Sequence, residues 1–185
     1  MTTPSTARRL DRGEALFWFL DRFSPMNFAV VAEGSGRLDE QALQEALAAA
    51  QRRHPLLTVA IEADTEHRLH FVPRPGPVLP SPHIAAADWR SELAERIVEP
   101  FVLGEAPLVR ACHVADGDRW AIALIFHHSI GDARSGFAVL SEVLQGVAGV
   151  AIVDAPLPVQ PPMSAVYPPE FSGDAGRQLA GQIKA

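Results

Sequence analysis

Residues 108–147 constrain this chain more than any other stretch. Residues 108–115 and 120–126 are apolar, strand-like runs, and Asp116-Gly117 between them tolerates the positive φ of a tight turn, so the pair reads as a β-hairpin. The second strand runs into His127-His128. Asp132 follows four residues after His128, where a helix N-cap belongs, and residues 133–147 carry Phe137, Leu140, Val143 and Leu144 at helical spacing. A hairpin that leads straight into an amphipathic helix must lay that helix back over a sheet. It also puts an imidazole at the end of a rigid element with a carboxylate nearby, as a general base acting on a bound nucleophile requires. Acyl transfer is the first chemistry this arrangement suggests.

The remaining pattern fits the same class. Asp11 can cap a short helix over residues 15–20, Ala-Leu-Phe-Trp-Phe-Leu, which is apolar nearly all round and must be buried on most sides or cover an apolar groove. The Phe17-Trp18-Phe19 cluster within it reads as core, with a cradle for an acyl chain as the alternative. Residues 27–32 form a strand that Gly34-Ser35-Gly36 is expected to break. Asp39 caps a helix with Ala42, Leu43, Ala46, Leu47 and Ala50 at spacings of three and four, ending near His54 because Pro55 disfavours the helical conformation before it. Residues 57–63 and 69–72 pair through the polar turn 64–67, residues 73–82 are a proline-rich loop, and a second helix runs from 88 to about 98. This order predicts an α/β (α+β) two-layer sandwich with a mixed sheet.

At 185 residues the chain suits one core and an appendage. The core is expected over 1–153. In 154–185 six prolines fall between Pro156 and Pro169, periodicity disappears, and only 176–184 has a weak helical pattern, so this part reads as a linker or crossover arm. A net charge of −6 with no run of Lys or Arg argues against nucleic acid or an anionic membrane as partner. Cys112 is the sole cysteine, so no intrachain disulfide forms, which fits the cytoplasm. No stretch is long and apolar enough for a membrane span, and residues 1–10 do not resemble an export signal.

Three landmarks together carry a family resemblance. Arg37-Leu38-Asp39-Glu40 through Arg52-Arg53-His54-Pro55-Leu56-Leu57 resembles the first long helix and its Arg-His-Pro ending in condensation domains of nonribosomal peptide synthetases and related CoA-dependent acyltransferases. Glu99-Pro100-Phe101-Val102-Leu103 with Ala106-Pro107-Leu108-Val109-Arg110-Ala111 resembles the segment ahead of that family's catalytic hairpin. His127-His128-Ser129-Ile130-Gly131-Asp132-Ala133 is similar to its HHxxxDG motif, with Ala133 in place of the final glycine. The opening Leu10-Asp11-Arg12-Gly13-Glu14 resembles the polyketide-associated, ester-forming branch.

The resemblance implies an acyltransferase with the lobe of chloramphenicol acetyltransferase, moving an acyl group from a CoA or carrier-protein thioester to a hydroxyl or amine. His128 would be the catalytic base. His127 and Asp132 would be structural, the latter through an ion pair, and Ala133 would line the channel. No cofactor is permanently bound; acyl-CoA or acyl-pantetheine is co-substrate. The match stops after one lobe, so the expected partners are a C-terminal lobe, as the same parent chain, a separate fragment or a second copy, and an acyl carrier protein or CoA.

Other readings stay open at this level. The chain can be a non-catalytic binding module or an inactive lobe. His127 and Asp132 also satisfy the HxxxxD spacing of glycerolipid acyltransferases, although the polar surface and hairpin context speak against it. A metal site on His127, His128 and Asp132 is disfavoured because adjacent strand residues face opposite ways. His54, His67, His70, His83 and His113 are scattered and read as structural or exposed, and Arg134 as an exposed residue of a helix's first turn.

Overall fold

The computed structural model describes residues 8–74 and 76–161. In chain order the elements are β1 (Arg8–Arg9), α1 (Arg12–Leu20), β2 (Asn27–Ser35), α2 (Glu40–Arg53), β3 (Val59–Ala63), β4 (Leu69–Pro73), α3 (Trp89–Val98), β5 (Val109–Asp116), β6 (Arg119–His127) and α4 (Ala133–Val147). Short 3₁₀ turns at Pro55–Thr58 and Ala86–Asp88 precede β3 and α3.

Local chemistry explains most of the boundaries. α1 opens on a capping box: the Asp11 carboxylate accepts from Glu14 N at 2.8 Å, and Glu14 accepts from Asp11 N at 2.8 Å. Asp39 caps α2 by accepting from the backbone of Gln41 and Ala42. The α2 stripe Leu43, Ala46, Leu47 and Ala50 is buried as its spacing requires. α2 ends at Arg53 because Pro55 starts a 3₁₀ turn, which also delays the following strand to Val59. Glu142 on α4 receives both residues at this corner, Arg53 Nε at 3.1 Å and His54 Nε2 at 2.9 Å, and so ties α2 to α4.

The central sheet has the order β2-β6-β5 and a smaller one the order β1-β4-β3. β2 and β6 pair antiparallel from Asn27 opposite His127 to Ser35 opposite Arg119. β5 and β6 form the hairpin, with Gly117 at φ +60 in its turn. Among the described residues every ladder is antiparallel, and mixing of direction is confined to a parallel bridge between His83 and His113. Alternation divides the central sheet between two cores. Val30, Ile122, Leu124 and Phe126 face α2 and α4, joined there by Phe71 and Ile61 of the small sheet. Ala121, Ala123, Ile125, Cys112 and Val114 face Leu93, Trp89 and Ile97 of α3. The α/β sandwich thus carries helices on both sides of its central sheet.

The expected break at Gly34-Ser35-Gly36 falls later, since β2 continues through Gly34 and Ser35 and the chain turns only at Gly36, φ +96. Gly34 is required by its cross-strand neighbour: a Cβ there would stand 2.2 Å from Cζ2 of Trp120. Gly34→Ala is expected to cost about 1–3 kcal/mol, read as a lower urea midpoint at unchanged slope, because the indole or the strand must move.

After α4 the described tail runs along the end of α2. Leu157 N donates to Arg53 O at 2.7 Å, Arg52 pairs with Asp154 at 2.9 Å, and Ile152 packs on the core. The weak helix expected over 176–184 lies outside the described residues. No helix among the described residues is long and apolar enough to cross a membrane.

Candidate active site

The last residue of β6 and the turn that follows present the two histidines in opposite environments. His127 is fully buried. Its Nδ1 accepts from Ser129 N at 3.0 Å, so the neutral ring carries its proton on Nε2. That nitrogen lies 3.9 Å from Asp21 Oδ2 and has no hydrogen-bond partner among the described residues. Trp18 and Phe101 pack around the ring, with centroids 4.9 and 5.9 Å distant. Burial pushes the His127 imidazole down to about 4, against the pull of the Asp21 carboxylate, with His128 adding a small push in the same direction as burial. With its pKa lowered in this way, the buried His127 ring is uncharged at neutral pH.

His128 is half-buried, and its backbone N–H donates to Met26 O at 2.9 Å, across from the start of β2. Its ring lies flat against Phe17, centroids 4.2 Å apart and planes 7° from parallel, with Phe28 tilted against it at 5.0 Å. Neither ring nitrogen is hydrogen-bonded within the described residues. A side chain with fixed backbone, packed faces and free nitrogens is placed to take a proton from a group that approaches its edge.

Helix α1 grips this turn along its length. Ser129 Oγ donates to Glu14 O at 2.7 Å, Phe17 stacks on His128, Trp18 packs on His127, and Asp21 Oδ1 accepts from Met26 N at 2.6 Å. Three consecutive aromatics cannot share one helix face at 100° per residue. Trp18 is accordingly buried, Phe17 is half-buried against His128, and Phe19 is 50% exposed. The core reading of that cluster therefore holds for Trp18 and fails for Phe19.

Asp132 is exposed and caps α4, its Oδ1 accepting from Ser135 N at 2.9 Å and Ser135 Oγ at 2.8 Å. The Ser135 backbone and hydroxyl donors hold its carboxyl below the usual range. No ion pair to Asp132 within 4 Å is present among the described residues; its Oδ1 serves the cap, and the charge of His128 acts on the carboxyl from farther away. Asp132→Ala is expected to cost about 1 kcal/mol while Asp132→Ser keeps most of the stability, measured by thermal unfolding. Ala133 and Arg134 are exposed in the first turn of α4. Three residues on, Gly136 lets the helix close on the sheet, since a Cβ there would stand 3.0 Å from the ring of Phe28.

Sequence reasoning missed Asp21, and it missed a clamp under the site. Arg110 stacks on Phe101 at 3.9 Å and donates to Glu99 O at 3.0 Å and Pro100 O at 2.8 Å. Asn27 Nδ2 donates to Ile97 O and Glu99 O. Together they secure the end of α3 and the Phe101 ring against His127. The signal present in the sequence was the landmark from Glu99 to Ala111, which marked the segment without its contacts.

Among the described residues no group of three or more His, Cys, Asp or Glu side chains is arranged to hold a metal ion. The other histidines serve elsewhere, His54 against Glu142, His70 against Asp64 at 3.0 Å, and buried His113 against Ser81 O at 2.8 Å. A cavity of about 280 Å³ is lined by Phe101, Pro107, Arg110 and neighbours and does not include His128, which stands on an open face.

Comparison with known proteins agrees with this architecture. No family model matches the sequence. Chondramide synthase from Chondromyces crocatus is 27% identical over 168 residues, covering 83% of this chain and 4% of the synthase. A plipastatin synthase from Bacillus subtilis is 27% identical over 130 residues, 69% of this chain and 5% of that protein. Among solved structures, the condensation domain of the monacolin K polyketide synthase MokA superposes with a TM-score of 0.70 at 17% identity, over 83% of this chain and 37% of its own. A variant of the starter condensation domain of the rhizomide synthetase RzmA gives 0.70 at 15%, over 84% and 40%. The first condensation domain of the calcium-dependent antibiotic synthetase gives 0.69 at 18%, over 78% and 39%. The likeness is one of fold: the chain superposes on part of each of these condensation domains. It spans two-fifths or less of the domains it superposes on, and about a twentieth of the synthases it resembles in sequence.

Proposed function

We propose that the chain is the histidine-bearing N-terminal lobe of an acyltransferase, with His128 as general base. The observation that carries this reading is the contrast at the end of β6: His127 is buried and held neutral, whereas half-buried His128 has no hydrogen-bond partner on either ring nitrogen among the described residues. In the step proposed, His128 takes the proton of an acceptor hydroxyl or amine as the acceptor heteroatom bonds to the thioester carbonyl carbon. The C–S bond then breaks, and the leaving thiolate recovers the proton from the imidazolium, so no acyl-enzyme forms. The donor is an acyl thioester of CoA or of carrier-protein pantetheine. A structure of the RzmA starter domain is in complex with C8-CoA, which makes a CoA thioester a fitting first donor to try.

The reading also assigns a facing lobe. Leu16, Phe19 and Phe23 on and just after α1, and Phe137 on α4, are 50% exposed or more, and both helices contact the aromatic rings around His128. Exposed large apolar side chains on the two helices that reach the His128 site suit a surface that another unit covers. The test is thiol release from octanoyl-CoA in the assembly that contains the second lobe, with glycinamide or a primary alcohol as acceptor. Release that depends on the acceptor, with no acyl adduct in the intact mass, supports the proposal; no release with any acceptor or carrier-bound donor leaves a binding lobe.

A further inference from the structure

We infer that Phe17 is the positioning residue that sets the plane of the His128 imidazole for proton transfer; this rests on the proposed role of His128. A histidine base is commonly oriented by an acidic partner on its second ring nitrogen. Here no acidic side chain hydrogen-bonds to the ring among the described residues; Asp132, the carboxylate nearest in sequence, feels the His128 charge but gives its Oδ1 to Ser135. The backbone of His128 is fixed by Met26 O, and that of the adjoining turn by the Ser129 N bond to His127 and the Ile130 N bond to His127 O at 3.1 Å. What remains free is rotation of the ring, and packing alone restricts it. Phe17, 7° from parallel at 4.2 Å, covers one face, and Phe28 leans on the ring at 55°. Stacking leaves the ring edge, where both nitrogens lie, open to an acceptor, which an edge-on neighbour would block.

Phe17 is itself held firmly. The capping box fixes the start of α1, buried Trp18 fixes its middle, and the Ser129 Oγ bond to Glu14 O joins the helix to the turn that it orients. An aromatic at position 17 therefore serves more than packing, whereas leucine or methionine would fill a similar volume without presenting a flat face.

The test uses two readouts. In the NMR spectrum of the chain itself, the His128 ring protons are expected upfield from the Phe17 ring current, to lose that shift in Phe17→Leu and Phe17→Met, and to keep it in Phe17→Tyr. In the two-lobed assembly, octanoyl-CoA turnover by the Leu and Met variants is expected to fall about tenfold or more in kcat with little change in KM, with Phe17→Tyr restoring it, because misdirected proton transfer slows chemistry without weakening binding. Unchanged kcat in either folded non-aromatic variant, or collapse of the fold in both, overturns the positioning role. If His128→Ala itself retains full turnover, the base assignment fails instead, so the two failures are told apart.

Discussion

His128→Ala is expected to lower acyl transfer by about 10²–10⁴-fold, the usual contribution of a positioned general base, while the fold survives. The ring is half-buried, donates and accepts no side-chain hydrogen bond within the described residues, and contributes mainly its stack on Phe17. Losing an aromatic contact of that kind costs about 1 kcal/mol, a shift of a few degrees in Tm for a domain of this size. A loss of turnover far larger than the loss of stability is the signature of a catalytic rather than a structural histidine. An unchanged rate would leave His128 a half-buried residue of the turn after β6 with no part in the chemistry.

His127 is expected to behave in the opposite way, through stability and its dependence on pH. Its folded imidazole titrates near 4, below the ordinary histidine value near 6.5, because burial disfavours the charged form. Between those values the unfolded chain binds a proton that the native state does not, so stability is complete above about pH 6.5 and falls as the pH drops towards 4. The loss through this one group approaches about 3 kcal/mol. Urea denaturation from pH 7.5 to 4.5 should show wild type losing stability more steeply than His127→Gln, in which that titration is gone. Parallel slopes would mean that the buried ring is solvated, or that Asp21 compensates its charge more fully than a 3.9 Å separation allows.

The parts of this fold that were legible in the sequence are those fixed by neighbouring residues. The α2 stripe, its Asp39 cap and its Pro55 stop are local rules, as are the Asp116-Gly117 turn and the Asp132 cap of α4, and each stands where the pattern places it. The parts that were illegible depend on contacts across the chain. β1 has two residues and exists only because Arg8 meets Phe71. Gly34 looked like a break and is strand, because the reason for a glycine there is Trp120, more than eighty positions away. At the site, different environments for His127 and His128 were expected from alternation along a strand, although β6 ends at His127 and His128 opens the turn. The identity of their neighbours was not: Phe17, Trp18 and Asp21 arrive by the docking of α1, and a run apolar nearly all round gave no sign of which ring meets which histidine.

The account turns on one comparison, acceptor-dependent thiol release from octanoyl-CoA by wild type and His128→Ala in the same two-lobed assembly, with near-ultraviolet circular dichroism to establish that both are folded. The prediction is release in the wild type that rises with acceptor concentration and falls at least a hundredfold in the variant, at matching spectra. Equal release by the two folded proteins would contradict the assignment of His128 as the base.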